Sequence, residues 1–184
     1  MENPYRLVST REVYRNPWIR VREDRVVRPD GAAGLFGIVD LKPGSSVLAI
    51  DDSGYAHLVD EFKYGVQRVS REVISGGLEP GETPLDTAKR ELKEETGLDA
   101  REWIDLGVID PFTSAIHSEN YLFLALGVTH GVSSPDEGEQ IVTICQPFRQ
   151  AVKMVLDGEI THAASCVLIL KADRILRDHP WYGN

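Results

Sequence analysis

The feature that most constrains this chain is the run Gly76-Gly77-Leu78-Glu79-Pro80-Gly81-Glu82, followed by Arg90-Glu91-Leu92-Lys93-Glu94-Glu95-Thr96-Gly97-Leu98. Between them, Thr83-Pro84-Leu85-Asp86 offers an N-cap, a proline at the first helical position and an acidic residue in the first turn, while Gly97 supplies a stop. The spacing predicts a helix from Pro84 to Thr96. At about 100° per residue, Leu85, Ala88, Leu92 and Thr96 fall on one side of it and Glu91, Glu94 and Glu95 on an adjacent one. One side packs against a core and the other presents carboxylates.

Glu91 and Glu95 form an i,i+4 like-charge pair, which on a bare helix costs roughly 0.2–0.5 kcal/mol, and Glu82 adds repulsion from the preceding loop. Two readings fit: a solvated acidic face, or a site for a divalent cation that reverses the repulsion. Clustered carboxylate oxygens suit a hard ion such as Mg²⁺ or Mn²⁺.

With 184 residues, the chain has room for one well-buried core and some appended structure. Apolar residues make up 42% and charged residues 27%, the usage of an ordinary folded soluble chain. The formal charge of -9 excludes nonspecific binding to nucleic acid or anionic membrane, and a phosphorylated substrate would need a cation to mediate. The longest apolar stretch, Ala163 to Leu170, is interrupted by Ser165 and falls far short of the ~20 residues of a membrane span. The start Met1-Glu2-Asn3-Pro4-Tyr5-Arg6 lacks the basic and apolar regions of a secretory signal, so a cytoplasmic location is expected. Cys145 and Cys166 sit in apolar surroundings without metal-ligand spacing and are expected as reduced core residues.

Residues 5 to about 68 read as strands, with a turn at Arg28-Pro29-Asp30-Gly31 and a hairpin about Asp51-Asp52-Ser53-Gly54, and no helical period occurs before residue 83. Leu106–Ile109, Tyr121–Val128 and Ile141–Cys145 read as further strands, then Pro147–Leu156 and Thr161–Arg177 as helices parted at Asp157-Gly158. This order suits a mixed α+β sandwich.

The pattern Gly76-x5-Glu82-x7-Arg90-Glu91-Leu92-x-Glu94-Glu95-x-Gly97-Leu98 resembles the Nudix box at every specified position. The resemblance implies an α/β/α sandwich that binds Mg²⁺, or Mn²⁺ as a substitute, and hydrolyses nucleoside diphosphates linked to another moiety. It implies metal-binding positions at Glu91, Glu94 and Glu95, with Glu91 and Glu95 the firmer ligands. Arg90 and Glu82 would organise loop and helix through a salt bridge, Glu82 sometimes reaching the metal, and the Ser75 carbonyl would be a further ligand.

Outside the box the chain is similar to the ADP-ribose pyrophosphatase group. Asp60-Glu61-Phe62-Lys63-Tyr64 resembles a strand ending in Gln-Tyr-Arg, and Glu72-Val73-Ile74-Ser75-Gly76 resembles Glu-x-Pro-Ala-Gly. Lys63 and Glu72 are thus candidate substrate contacts or, equally, an ion pair at a sheet edge. Lys offers a point charge where the group's Arg offers a bidentate fork. The segment Pro111 to Glu119 sits where the group carries a Pro-Gly-x-x-x-Glu loop, which makes Glu119 a candidate contact and leaves His117 a solvated residue. The loop Ser133 to Ile141 resembles a Glu-x-Glu loop, with Glu137 falling on the catalytic base and Glu139 on a metal ligand. Residues Asp157 to Ser165 resemble the group's last helix and are expected to pack.

Residues 1–43 resemble the β-subdomain through which this group forms a swapped homodimer, ahead of a Nudix domain from 44 to 184. Trp18 and Tyr14 are either base-stacking residues or, preferentially, buried anchors. The implied reaction is hydrolysis of ADP-ribose to AMP and ribose 5-phosphate, with catalytic roles for Glu137, Glu94 and Arg90. GDP-mannose or another nucleotide sugar is the alternative substrate. A catalytically silent ligand sensor is the non-enzyme alternative, opposed by the intact box and by the lack of a segment for a DNA-binding winged helix.

Overall fold

A computed structural model describes residues 1–130 and 140–182. The elements before the box are β1 (Arg6–Arg15), β2 (Ile19–Val27), β3 (Ala33–Leu41), β4 (Gly44–Ile50), β5 (Tyr55–Lys63), β6 (Arg68–Glu72) and β7 (Ile74–Gly77). Then come α1 (Pro84–Thr96), β8 (Leu98–Ile109), β9 (Ile116–His117), β10 (Asn120–His130), β11 (Val142–Pro147), α2 (Phe148–Leu156), α3 (Ala163–Ile175) and a 3-10 turn, Leu176–Asp178. The chain mixes sheets and helices in an α+β fold. Its contacts divide into two units, residues Met1–Pro43 with Asp110–Glu119, and Gly44–Ile109 with Asn120 onward.

In the smaller unit, β1, β2 and β3 form an antiparallel meander and β9 adds in parallel to β3. The turn after β2 closes through Gly31 N–H to Arg28 O, with Gly31 in the left-handed region at φ 82°. Trp18 and Tyr14 are not buried anchors: they are 73% and 52% exposed. Trp18 lies in the turn where the Asn16 side chain accepts the N–H of both Trp18 and Ile19, which leaves the indole outside, and every residue of β1 is exposed. His117 is exposed, as expected of a solvated residue, yet it stands in β9 with Nδ1 3.2 Å from Asp40.

The larger unit is a sheet of order β11-β5-β4-β10-β8, with β6 paired to β5 and β7 to β4. The β4–β10 pair is parallel and the others are antiparallel. Central β4 is buried on both faces and reads as a continuous apolar run after Ser45 and Ser46. Those two buried hydroxyls are satisfied, Ser45 donating to Pro84 O at 2.7 Å and Ser46 lying 2.9 Å from Ser75 Oγ. Alternation along the strands splits the core. Leu48, Ile50, Leu122 and Leu124 pack with Phe148, Leu168 and Ile169 on the α2/α3 side. Val47, Ala49, Phe123 and Ala125 pack with Ala88 and Leu92 of α1 on the other. The result is helix, sheet, helix.

Three expectations need correction. Strand β8 begins at Leu98, eight residues before Leu106, because Gly97 at φ 70° ends α1 in a left-handed cap and the chain turns straight into extended pairing with β10. The last helix is shorter than Thr161–Arg177, running Ala163–Ile175 before tightening into the 3-10 turn. Cys145 is exposed and Cys166 only partly buried, because β11 is an edge strand and Cys166 lies near the start of α3, its thiol donating to Ile160 O. No helix among the described residues is long and apolar enough to cross a membrane.

Candidate active site

Helix α1 is held at its start by a reciprocal cap: Thr83 Oγ1 accepts from Asp86 N–H at 3.2 Å, while Asp86 Oδ2 accepts from Thr83 N–H at 3.1 Å. Leu92, Ala88 and Thr87 are fully buried, and this fixes the rotation of the helix. The carboxylate-bearing side is thereby turned toward the loop from Gly76 to Glu82.

Arg90 organises that side. Its Nε donates to Glu82 Oε1 at 2.7 Å and its Nη2 to Glu82 Oε2 at 3.1 Å, a forked pair. The remaining donors reach Glu91 Oε1 at 2.7 Å, Glu94 Oε2 at 2.9 Å and the Gly77 carbonyl at 3.1 Å. One guanidinium therefore ties the loop, strand β7 and two helix carboxylates together. Glu82 Oε2 also accepts from Glu79 N–H at 3.0 Å and from the Thr87 hydroxyl at 2.7 Å. The Arg90 hydrogen bond, followed by those from Glu79 and Thr87, holds the Glu82 carboxyl down at about 2. Glu82 foremost, then Glu94 and Glu91, push the Arg90 guanidinium up.

Glu91 and Glu95 are partly buried, and Glu95 Oε2 is shielded from solvent. Three carboxylates, Glu82, Glu91 and Glu94, thus converge on Arg90, which supplies one balancing charge, and Glu95 stands one residue further along the same helix. An all-oxygen donor set with excess negative charge fits a hard divalent cation. Glycine at position 76 leaves the space that Glu91 fills, since a Cβ there would meet the Glu91 carboxylate. Ser75 lies beside Gly76 in β7, opposite Ser46 of β4.

A second cluster adjoins through electrostatics. Burial opposes the charge on Lys63, but a short hydrogen bond to Glu61 and the charges of Glu72, Glu61 and Glu95 overcome it and raise the ammonium pKa. Glu72 is buried, and its Oε2 lies 3.3 Å from His162 Nδ1. His162 Nδ1 also lies 2.9 Å from Ser165 Oγ, which in turn accepts from Val73 N–H at 2.9 Å. Burial lowers the His162 pKa, and Lys63 lowers it further against the pull of Glu72. Lys63 thus pairs directly with Glu61, and Glu72 with His162, while the charges of Glu72 and Glu95 also favour the Lys63 ammonium.

The structure joins Glu82, Arg90, Glu91 and Glu94 by direct contact and couples Lys63 to Glu72 and Glu95. Trp18 and Glu119 belong to the smaller unit. Glu137 and Glu139 lie outside the described residues. Sequence reasoning assigned residues 157–165 to packing and missed His162. Its pairing with Glu72 spans ninety residues of chain, and no local spacing signals it.

The NUDIX domain family model matches residues 40–165, and that of the nucleoside diphosphate sugar hydrolase N-terminal domain matches residues 5–39. The chain is 27% identical over 173 residues to an ADP-ribose pyrophosphatase of Mycobacterium tuberculosis (strain ATCC 25618 / H37Rv), covering 92% of this chain and 83% of that protein. It is 29% identical over 166 residues to an ADP-ribose pyrophosphatase of Bacillus subtilis (strain 168), covering 88% of this chain and 89% of that protein. Among solved structures, that of an ADP compounds hydrolase superposes with a TM-score of 0.86 at 18% identity, over 97% of each chain.

Proposed function

The chain belongs to the NUDIX domain family and is a pyrophosphohydrolase of that kind, and from this premise we propose that it cleaves the diphosphate bridge of ADP-ribose to give AMP and ribose 5-phosphate. The observation that carries the proposal is the forked Arg90–Glu82 pair, which holds Glu91 and Glu94 against the loop beside the Lys63–Glu72–Glu95 cluster. A diphosphate brings two negative charges, and the acidic site accepts them only with cations present. Glu91 and Glu95, with Glu82, Glu139 and the Ser75 carbonyl, would hold Mg²⁺ or Mn²⁺, which when bound neutralises the diphosphate and makes water a better nucleophile.

The residues do the rest. Arg90 keeps Glu91 and Glu94 in place, so that the carboxylates need little rearrangement to bind. Lys63 offers a positive point charge to a phosphate oxygen, and its hydrogen bond to Glu61 fixes its position. As water attacks one phosphorus, the bridging P–O bond breaks and Glu137 takes the proton. Trp18 and Glu119, carried by the smaller unit, are proposed as contacts to the base and the rest of the substrate, and the protein is proposed to act as a cytoplasmic homodimer.

The test is a substrate panel of ADP-ribose, GDP-mannose, ADP-glucose, UDP-glucose and NADH, with and without Mg²⁺, following release of phosphatase-sensitive monophosphate. The expected result is Mg²⁺-dependent turnover led by ADP-ribose. A different leading nucleotide sugar overturns the substrate assignment and keeps the chemistry. Tight ligand binding without turnover overturns the enzymatic proposal in favour of a sensor.

A further inference from the structure

The geometry points to a second metal site, built from Asp51, His57 and Cys145 and suited to a borderline divalent transition-metal ion such as Zn²⁺. One ligand atom from each of the three lies within 4.8 Å of the other two. The sheet brings them together. His57 on β5 is the direct cross-strand partner of Cys145 on β11 and of Ala49 on β4. Because side chains alternate along a strand, His57, Cys145, Ala49 and, two residues on, Asp51 project to one side of the sheet.

The local chemistry assigns each atom a role. Asp51 Oδ1 accepts from Ser53 N–H at 2.8 Å and from Tyr55 N–H at 2.9 Å, closing the β4–β5 hairpin. The other oxygen, Oδ2, is thereby held 4.0 Å from His57 Nε2. The His57 side chain is only 8% exposed and that of Asp51 29%, whereas Cys145 faces solvent, so an ion can enter from the thiol side. Zinc bonds of about 2.0–2.3 Å in tetrahedral geometry separate neighbouring ligand atoms by about 3.4–3.8 Å. Small side-chain rotations close the observed spacing to that range, with a fourth position left for water.

The donor set separates this site from the box. Sulfur, imidazole nitrogen and a single carboxylate select zinc-like ions, whereas the box offers only oxygens to harder ones. An ion here ties edge strand β11 to the β4–β5 hairpin, adding a crosslink between elements otherwise joined by strand pairing.

The test uses the whole chain, stripped of metal and then held in excess Mg²⁺ to fill the carboxylates, with Co²⁺ as the probe. One equivalent of Co²⁺ is expected to produce thiolate-to-cobalt charge-transfer absorption in the near ultraviolet, which Zn²⁺ abolishes by displacement. The band should vanish in Cys145→Ser and persist in Cys166→Ser. Asp51→Asn keeps a carbonyl oxygen for the two hairpin N–H groups, so the turn stays formed, and Co²⁺ affinity should fall at least tenfold. Zn²⁺ should raise the melting temperature of the parent chain and not of Cys145→Ser. Absence of the band in the parent chain, its survival in Cys145→Ser, or unchanged affinity in Asp51→Asn overturns the site. All three outcomes are independent of whether ADP-ribose is the substrate.

Discussion

A Cβ built on Gly76 would stand 1.7 Å from Glu91 Oε1 and 1.9 Å from its Cδ, so the absence of a side chain on β7 is the condition for the Glu91 carboxylate to lie where it does. Gly76 is at the same time paired with Ser45 of the central strand, which leaves its backbone no room to retreat. Any larger residue must therefore displace Glu91.

Replacing Gly76 by Ala should leave the fold intact and impair the site, because the obstructing atoms are the end of a flexible side chain rather than backbone. Displacing by about 1 Å the carboxylate proposed to hold the cation should lower turnover by about 100-fold. Thermal melting and Mg²⁺ titration of the purified variant separate the two effects. A melting temperature within a few degrees of the parent, with weakened Mg²⁺ activation, is the expected pattern.

Glu82 makes stability depend on acid. Its folded-state carboxyl lies at about 2 against an ordinary 4.5, so its contribution is fully present above pH 4.5 and is lost as pH falls through about 2. Denaturant midpoints of the parent chain and of Glu82→Gln should therefore differ most near neutrality and converge across that interval. Curves that stay parallel down to pH 2 would remove Glu82 from this role.

Among the carboxylates, Glu95→Gln should weaken Mg²⁺ activation and turnover together, since it removes charge from the proposed cation site; unchanged Mg²⁺ dependence counts against the assignment. Glu137→Gln should instead reduce kcat by about 100-fold or more, with little change in substrate affinity, as loss of a general base does. Steady-state kinetics at several Mg²⁺ concentrations distinguish the two patterns.

Thr83→Ala breaks the reciprocal cap with Asp86 and should destabilise the chain by about 1 kcal/mol, measured by urea unfolding. Turnover at 25 °C should change little, because the buried Leu92 and Ala88 continue to set the rotation of α1.

What the sequence alone determined was local. The bounds of α1, its caps at Thr83 and Gly97, the hairpin at Asp51–Gly54 and the grouping of Glu91, Glu94 and Glu95 follow from contacts within a few residues, which helical periodicity and turn chemistry encode directly. The tertiary structure decided what depends on pairing across long stretches of chain. Strand order β11-β5-β4-β10-β8 leaves Cys145 exposed on an edge strand and sets it opposite His57. Packing of α3 brings His162 to Glu72, ninety residues away, and the ladder between β5 and β6 sets Glu72 opposite Val59 and Lys63 opposite Arg68. The physical reason is that burial and electrostatic coupling are properties of neighbours in space, and strand pairing and helix packing choose those neighbours over distances that no short-range pattern records.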